Sequence, residues 1–151
     1  MSPLRRLGYG LCRLFWQIAR PITVGVRCVL DREGKLLLVR HTYQRSWYLP
    51  GGGVKRGETL EQAMRREAAE EVGAQLGALE LLGVYSNFWE GKSDHVAVFS
   101  STDGTLTGEM DGEIERFAWF SPAALPKDVS PGTKRRIREY VEGSGPYVGR
   151  W

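Results

Sequence analysis

The stretch LPGGGVKRGETLEQAMRREAAEEVGA, residues 49 to 74, carries three glutamates, Glu67, Glu70 and Glu71, spaced to share one side of a helix. The helix is legible from its ends. Thr59 and Gln62 have capping-box spacing, in which each side chain reaches the other's free backbone N–H. Gly57 precedes as a turn residue, and Gly73 stands where a left-handed C-terminal stop is expected. Between them lie good helix formers with no proline. At about 100° per residue, Leu60, Ala63 and Met64 form an apolar stripe, and Glu67 and Glu71 fall within about 20° of Leu60. Glu70 lies to one side of them, while Glu61, Gln62, Arg65 and Ala69 occupy the opposite face. The carboxylates therefore continue the inward stripe. Like charges at i,i+4 cost about a few tenths of a kcal/mol even when exposed. Glutamates in the last turns also oppose the helix dipole, and partial burial raises the cost further. Arg66 can pair with Glu70, but one arginine does not neutralise three carboxylates; a bound hard cation does. A solvated acidic face is the plainer reading of an isolated E-x-x-E-E, and the helical phase argues against it here.

The wider constellation resembles the Nudix box, G-x5-E-x7-R-E-U-x-E-E-x-G-U, where U is a bulky aliphatic residue. Gly52, Glu58, Arg66, Glu67, Glu70, Glu71 and Gly73 fill its fixed positions in register, which is far more specific than a lone glycine motif. The U positions hold Ala68 and Ala74, smaller than usual, a departure that concerns packing rather than chemistry. Trp47, Tyr48, Leu49 and Pro50 lie where the family has an aromatic followed by Leu-Pro or Phe-Pro. The resemblance covers about residues 22–142.

That resemblance implies a hydrolase that cleaves a diphosphate linkage in a nucleoside diphosphate derivative, with Mg2+ or Mn2+ as cofactor and a small nucleotide-type molecule as partner. Glu67, Glu70 and Glu71 match metal-binding or catalytic glutamates. Glu58 matches the one near the helix start that supports or joins the metal site, and Arg66 the arginine that orients a neighbouring glutamate. Gly52 lies in the loop whose carbonyl can join the metal shell. The implied metal set is thus Gly52, Glu58, Glu67, Glu70 and Glu71. The chemistry is intelligible: a hard cation offsets repulsion between glutamates and phosphates, orients the substrate and lowers the pKa of a bound water. Either Glu67 or Glu70 then takes a proton as water attacks phosphorus. Some relatives use a glutamate outside the box, for which Glu113 and Glu115 are candidates. A Nudix-fold binding module without turnover is the runner-up; a calcium-binding acidic protein lacks its EF-hand loop.

Substrate contacts are less marked. Lys55 and Arg56 in the box loop, and Arg40 and Arg45 before it, could pair with phosphate. Trp47, Tyr48, Phe88, Trp89 and Trp119 could stack on a base, although aromatics more often pack in cores.

Composition fits this frame. The 151 residues suit one domain, and a net charge of +3 with pI near 9.0 suits an anionic substrate. No aromatic-rich RNA motif or long basic run points to a DNA or RNA partner. Cys12 and Cys28 make neither a metal spacing nor a disulfide framework, and Cys28 in its apolar run is expected to be buried and inert. His41 and His95 stand far apart, so each is expected to be structural or exposed.

Outside the box, residues 22–30 and 35–40 read as strands around a turn at 31–34, and 41–46 as a polar loop. Residues 79–87 and 95–101 read as strands linked by 90–94; a turn at Asp103 and Gly104, a strand over 116–120 and a helix from 131 or 132 to 142 follow. Ile137, Tyr140 and Val141 mark that helix's apolar side. With the resemblance, the expected architecture is an α/β/α sandwich with a mixed sheet over residues 21–151.

Residues 1–20 precede it. Leu4, Leu7, Leu11, Leu14 and Ile18, with Arg5, Arg6, Arg13 and Arg20, read as a basic amphipathic helix, weakened by Gly8 and Gly10. Arg13 interrupts a run too short for a membrane span, and no clear small-residue cleavage site follows for a signal peptide. A cytoplasmic location is expected. The favoured role of residues 4–18 is packing on the domain or on a second subunit in a homodimer; weak contact with an anionic membrane surface is the alternative.

Overall fold

The computed structural model describes residues 21–151. The N-terminal amphipathic helix expected over residues 1–20 lies outside the described residues. The element order is β1 (Ile22–Arg32), β2 (Lys35–His41), α1 (Leu60–Val72), β3 (Ala74–Leu76), β4 (Glu80–Trp89), β5 (Lys92–Ser101), β6 (Gly104–Leu106), β7 (Ile114–Phe120), α2 (Pro131–Glu142) and β8 (Tyr147–Arg150). A short 3-10 turn, Pro122–Ala124, links β7 to α2.

The main sheet runs β7-β2-β1-β5-β4-β8, and β3 and β6 form a separate ribbon. β1 pairs with β5 in parallel, as β4 does with β8, and the other neighbours are antiparallel. It is the expected mixed sheet. Alternation along β1 builds two cores. Val26, Cys28 and Leu30 pack with Ala63, Met64 and Ala68 of α1. Val29 packs with Leu36, Leu38 and Val98 against Ile137 of α2. A helix covers each face, which makes the sandwich.

The decisive departure from a simple meander lies between β1 and β2. The two strands pair only at Asp31–Leu36 and Arg32–Lys35, next to their turn. Beyond it they splay, and residues 48–54 fill the gap. Val39 and Tyr48 exchange both backbone hydrogen bonds at 2.9 Å. On the other side, the N–H groups of Val26 and Cys28 donate to the Gly52 and Pro50 carbonyls, and Val54 N–H donates to Val24. Period-2 patterning cannot reveal this wedge, because Pro50 and three glycines give it no alternating apolar face. Gly51 shows how tight the fit is: at φ 136°, an added Cβ would stand 2.1 Å from the Val26 carbonyl oxygen.

Helix α1 begins and ends as its residues dictate. Thr59 accepts from Gln62 N–H at 3.1 Å, and Gln62 Oε1 accepts from Thr59 N–H at 2.9 Å. Gly73 takes the left-handed conformation at φ 63°. Ala63, Met64, Ala68 and Val72 are fully buried, whereas Leu60, read as part of the apolar stripe, is exposed.

Other expectations need correction. The five-residue link over 90–94 is a two-residue turn. Glu90 and Gly91 both have positive φ, 49° and 81°, the geometry a tight hairpin needs, so β5 starts at Lys92. Glu33 and Gly34 do the same after β1. β3, β6 and β8 were not read from the sequence; the first two are three residues each, too short for periodicity. In α2, Val141 is exposed and Arg136 is buried instead. Its guanidinium lies 3.7 Å from the Tyr85 ring centre and pairs with Glu139, which also accepts from Tyr85 Oη at 2.6 Å. A charged residue inside the core is tolerated because each of these groups is satisfied.

Gly51→Ala is expected to destabilise the protein by about 2 kcal/mol or more, seen as a lower urea midpoint. Gly53→Ala, where an added Cβ meets nothing within 4 Å, should shift the midpoint far less.

Candidate active site

Three of the predicted carboxylates meet around one guanidinium. Arg66 Nε and Nη2 donate to Glu58 at 2.6 and 2.9 Å, and Nη1 donates to Glu67 at 2.6 Å and Glu70 at 3.1 Å. Arg66 Nη2 also donates to the Gly53 carbonyl at 3.0 Å, tying α1 to the wedge. These bonds favour the charged forms of both partners. Glu58 is held down to about 2, first by the Arg66 side chain and then by the Lys55 N–H. Arg66 is itself raised, with the Glu58 hydrogen bond the largest cause.

Glu67 lies against the wedge. A Cβ at position 52 would come 2.5 Å from Glu67 Oε2, so any side chain there would displace the carboxylate. Gly52's own carbonyl accepts from Val26 N–H, leaving one lone pair for a further partner. Glu70 is half-exposed and lies 3.9 Å from Lys55 Nζ.

Glu71 stands apart. It is buried, and Oε2 accepts from the Gly51 N–H at 2.8 Å. Burial pushes its carboxyl up to about 7, against the lowering pull of that hydrogen bond and of Arg27. His41 Nε2 lies 3.9 Å from its other oxygen. Burial, and then Arg27, lower the pKa of His41, whose Nδ1 has no hydrogen-bond partner. His41 is thus buried beside Glu71, while His95 is half-buried with Nδ1 3.0 Å from Ser86 Oγ. Cys28 is buried, and burial pushes its thiol up to about 12, consistent with an inert residue.

The donor chemistry suits a hard divalent cation. All donors are oxygens; Glu58, Glu67 and Glu70 face one guanidinium and one ammonium, and Glu71 is held apart by the Gly51 N–H. Among the described residues, no three His, Cys, Asp or Glu side chains already form a cage. Arg66 stands among the glutamates instead, so a cation must compete with it for Glu67 and Glu70.

Across the wedge from the carboxylates lies a cavity of about 300 Å³. Gly52 and Gly53 line it together with Arg27, Asn87, Trp89 and Asp94. Of the five candidate stacking aromatics, only Trp89 faces it. Trp47 is buried under Arg40 and Arg116, with ring distances of 4.7 and 5.1 Å, and meets Phe120 edge-on. Tyr48 packs in the α1-side core, Trp119 lies under Arg32, and Phe88 lies under Arg150. Arg40 is bonded to Asp128 and, with Arg45 and Glu115, lines a separate cavity. Lys55 remains at the carboxylates, and Arg56 is exposed in the same loop. The segment before β7 reaches α1 through Asp111 N–H, which donates to the Glu70 carbonyl. Glu113 is exposed beside it, two residues on.

Sequence reading missed Arg27, whose Nη1 is buried without a hydrogen-bond partner. Its signal was available: an arginine inside the otherwise apolar run VGVRCVL.

The family model described as NUDIX domain matches residues 19–140. The chain belongs to the Nudix hydrolase family. It is 31% identical over 127 residues to the MutT-like protein of Streptomyces ambofaciens, covering 83% of this chain and 81% of that protein. It is 28% identical over 127 residues to nucleoside triphosphatase NudI of Escherichia coli O139:H28, covering 73% and 90%. The crystal structure of a MutT Nudix hydrolase from Burkholderia pseudomallei superposes with a TM-score of 0.72 at 25% identity, covering 79% of this chain and 98% of that one. This Nudix hydrolase is a pyrophosphohydrolase acting on phosphorus-containing acid anhydrides. Among the described residues no helix is long and apolar enough to cross a membrane.

A carboxylate whose folded pKa is raised favours the fold when protonated. For Glu71 the cost is absent below about 4.5, grows from there to about 7, and is complete above. In EDTA, Glu71→Gln is therefore expected to stabilise the protein at pH 8 relative to pH 5, by on the order of 3 kcal/mol at most. Urea unfolding of both proteins at the two pH values checks it.

Proposed function

We propose that this Nudix hydrolase cleaves an anhydride bond in a nucleoside diphosphate derivative, such as a nucleoside triphosphate, with a divalent cation held at Glu67 and Glu70. The observation that carries this reading is the wedge: one backbone segment has the carboxylate cluster on one side and a cavity on the other. A nucleoside in the cavity would lay its phosphates along Gly52 and Gly53, where the absence of side chains lets backbone approach them. The similarity to the Escherichia coli relative, a nucleoside triphosphatase, supports the substrate class.

The chain's own groups then have distinct tasks. Trp89 offers a ring and Asn87 and Asp94 offer polar edges to a base. Arg27, with an unpartnered Nη1, is an additional positive group at the cavity. Lys55 and Arg56 would meet phosphate from the box loop, whereas Arg45 lines the separate cavity with Arg40 and Glu115. Glu58 is bonded through both oxygens to Arg66 and acts by fixing it. Glu71 acts on the wedge through Gly51. When bound, Mg2+ or Mn2+ supplies charge neutralisation on the phosphate oxygens and acidifies a water. Glu70, the more exposed of the two candidate acceptors, takes the proton as water oxygen bonds to phosphorus and the anhydride P–O bond breaks. Positioning and charge stabilisation dominate such transfers.

Assay of a nucleotide panel with Mg2+ or Mn2+, beside EDTA and with product identification, tests the reading. Cleavage of a panel member to two phosphorylated products, abolished by EDTA, is expected. Cleavage of no panel member would remove nucleoside diphosphate derivatives as the substrate class. Glu70→Gln is expected to lower turnover by about two orders of magnitude or more with the fold intact; wild-type rates under Mg2+ would remove Glu70 from the chemistry. Millimolar Mg2+ should also raise the melting temperature by relieving repulsion among the glutamates, and scanning calorimetry reads that shift.

A further inference from the structure

Among the described residues, no helix lies over one half of one sheet face. On the side packed by α1, directly opposed residues form rows across β1, β5, β4 and β8: Ile22–Ser93–Phe88, Val24–His95–Ser86–Arg150, and Val26–Ala97–Val84–Val148. Val26 and Ala97 are buried. The rest of the apolar set stays open: Ile22 is 75% exposed, Phe88 57% and Val148 91%, with Val24 and Val84 also exposed. A sheet face of this kind is normally buried against another layer, and its exposed apolar residues, interspersed with Ser93, His95, Ser86 and Arg150, mark an interaction surface.

We propose that this face is the docking surface for residues 4–18 of the same chain. The first argument is position. Pro21, the residue at which that segment enters the domain, accepts through its carbonyl from Ser93 N–H at 3.1 Å. The chain therefore arrives at the Ile22–Ser93 corner of the open face. The second is pattern. On a helix, Leu4, Leu7, Leu11, Leu14, Phe15 and Ile18 fall within an arc of about 100°, the width of a core-facing stripe. The third is length. Fifteen helical residues span about 22 Å, enough to cross the roughly 14 Å between β1 and β8 at normal strand spacing. Only two residues, Ala19 and Arg20, separate Ile18 from Pro21, so a nearby surface is favoured by the small loop-closure cost. A second copy of the chain or an anionic membrane would have to compete with this tethered surface.

Hydrogen exchange on the full chain tests the proposal. Amides of residues 4–18 should exchange at least about tenfold more slowly in the wild-type protein than in Phe88→Asp/Val148→Asp. The reciprocal variant Leu11→Asp should lose the same protection. Exchange in β1 and β5 reports that the domain is intact in each, and both face residues are exposed, so the core is not disturbed. Sedimentation at two protein concentrations should give a monomer with unchanged protection. Protection that rises with concentration together with a dimer mass would overturn the proposal in favour of a second copy. Protection seen only with phosphatidylserine vesicles would overturn it in favour of a membrane. Fast exchange of residues 4–18 in the wild type, or protection unaltered by the face variants, would also overturn it.

Discussion

The backbone hydrogen bonds that hold residues 48–54 between β1 and β2 are the constraint on which the rest of the site depends. Without them the N–H groups of Val26, Cys28 and Val39 would lose their partners inside the sheet, and unsatisfied buried amides are costly. The wedge closes the sheet where the hairpin opens. It also brings backbone with no side chains up to α1. Gly51 gives its N–H to Glu71, Gly52 leaves space for Glu67, and Gly53 gives its carbonyl to Arg66. The helix and the glycine segment thus hold each other, and neither has its observed position alone.

Arg66 explains how a helix can carry so much like charge. Its guanidinium reaches Glu58, Glu67 and Glu70 with three nitrogens, a geometry that a lysine's single ammonium could not reproduce. Glu71 is handled differently. It is held by a backbone amide and burial, which favours its neutral form rather than compensating its charge. Glutamates a few residues apart therefore live in different electrostatic environments, one condition for giving them different tasks.

Much of this was legible in the chain because it is local. Capping by Thr59 and Gln62, the left-handed Gly73, the inward phase of the glutamates and the burial of Cys28 all follow from residues within one element. The Nudix pattern added the α/β/α order. What stayed hidden depends on which elements become neighbours. Tyr48 reads as one more aromatic until Val39 is known to lie beside it. Arg136 reads as surface charge until Tyr85 and Glu139 enclose it. Glu113 and Glu115 look equivalent in sequence, yet Glu115 lines the cavity with Arg45 while the Glu113 carbonyl accepts from Thr42 N–H. Leu60 and Val141 have the right phase but lie exposed, where none of the described elements covers them.

The side chains that shape the larger-walled part of the cavity, Thr23, Arg27, Asn87, Trp89 and Asp94, come from β1, β4 and β5. Every box carboxylate comes from α1 or the loop before it. The glycine backbone separates the two sets, and Arg27 links them through its charge on Glu71. Under the proposed function, selection of a ligand and the reaction performed on it are encoded largely in different parts of the chain, with Arg27 the point of contact between them. For protein engineering, the strand positions form a dial that can be turned through many side chains while the acidic helix is left as it stands.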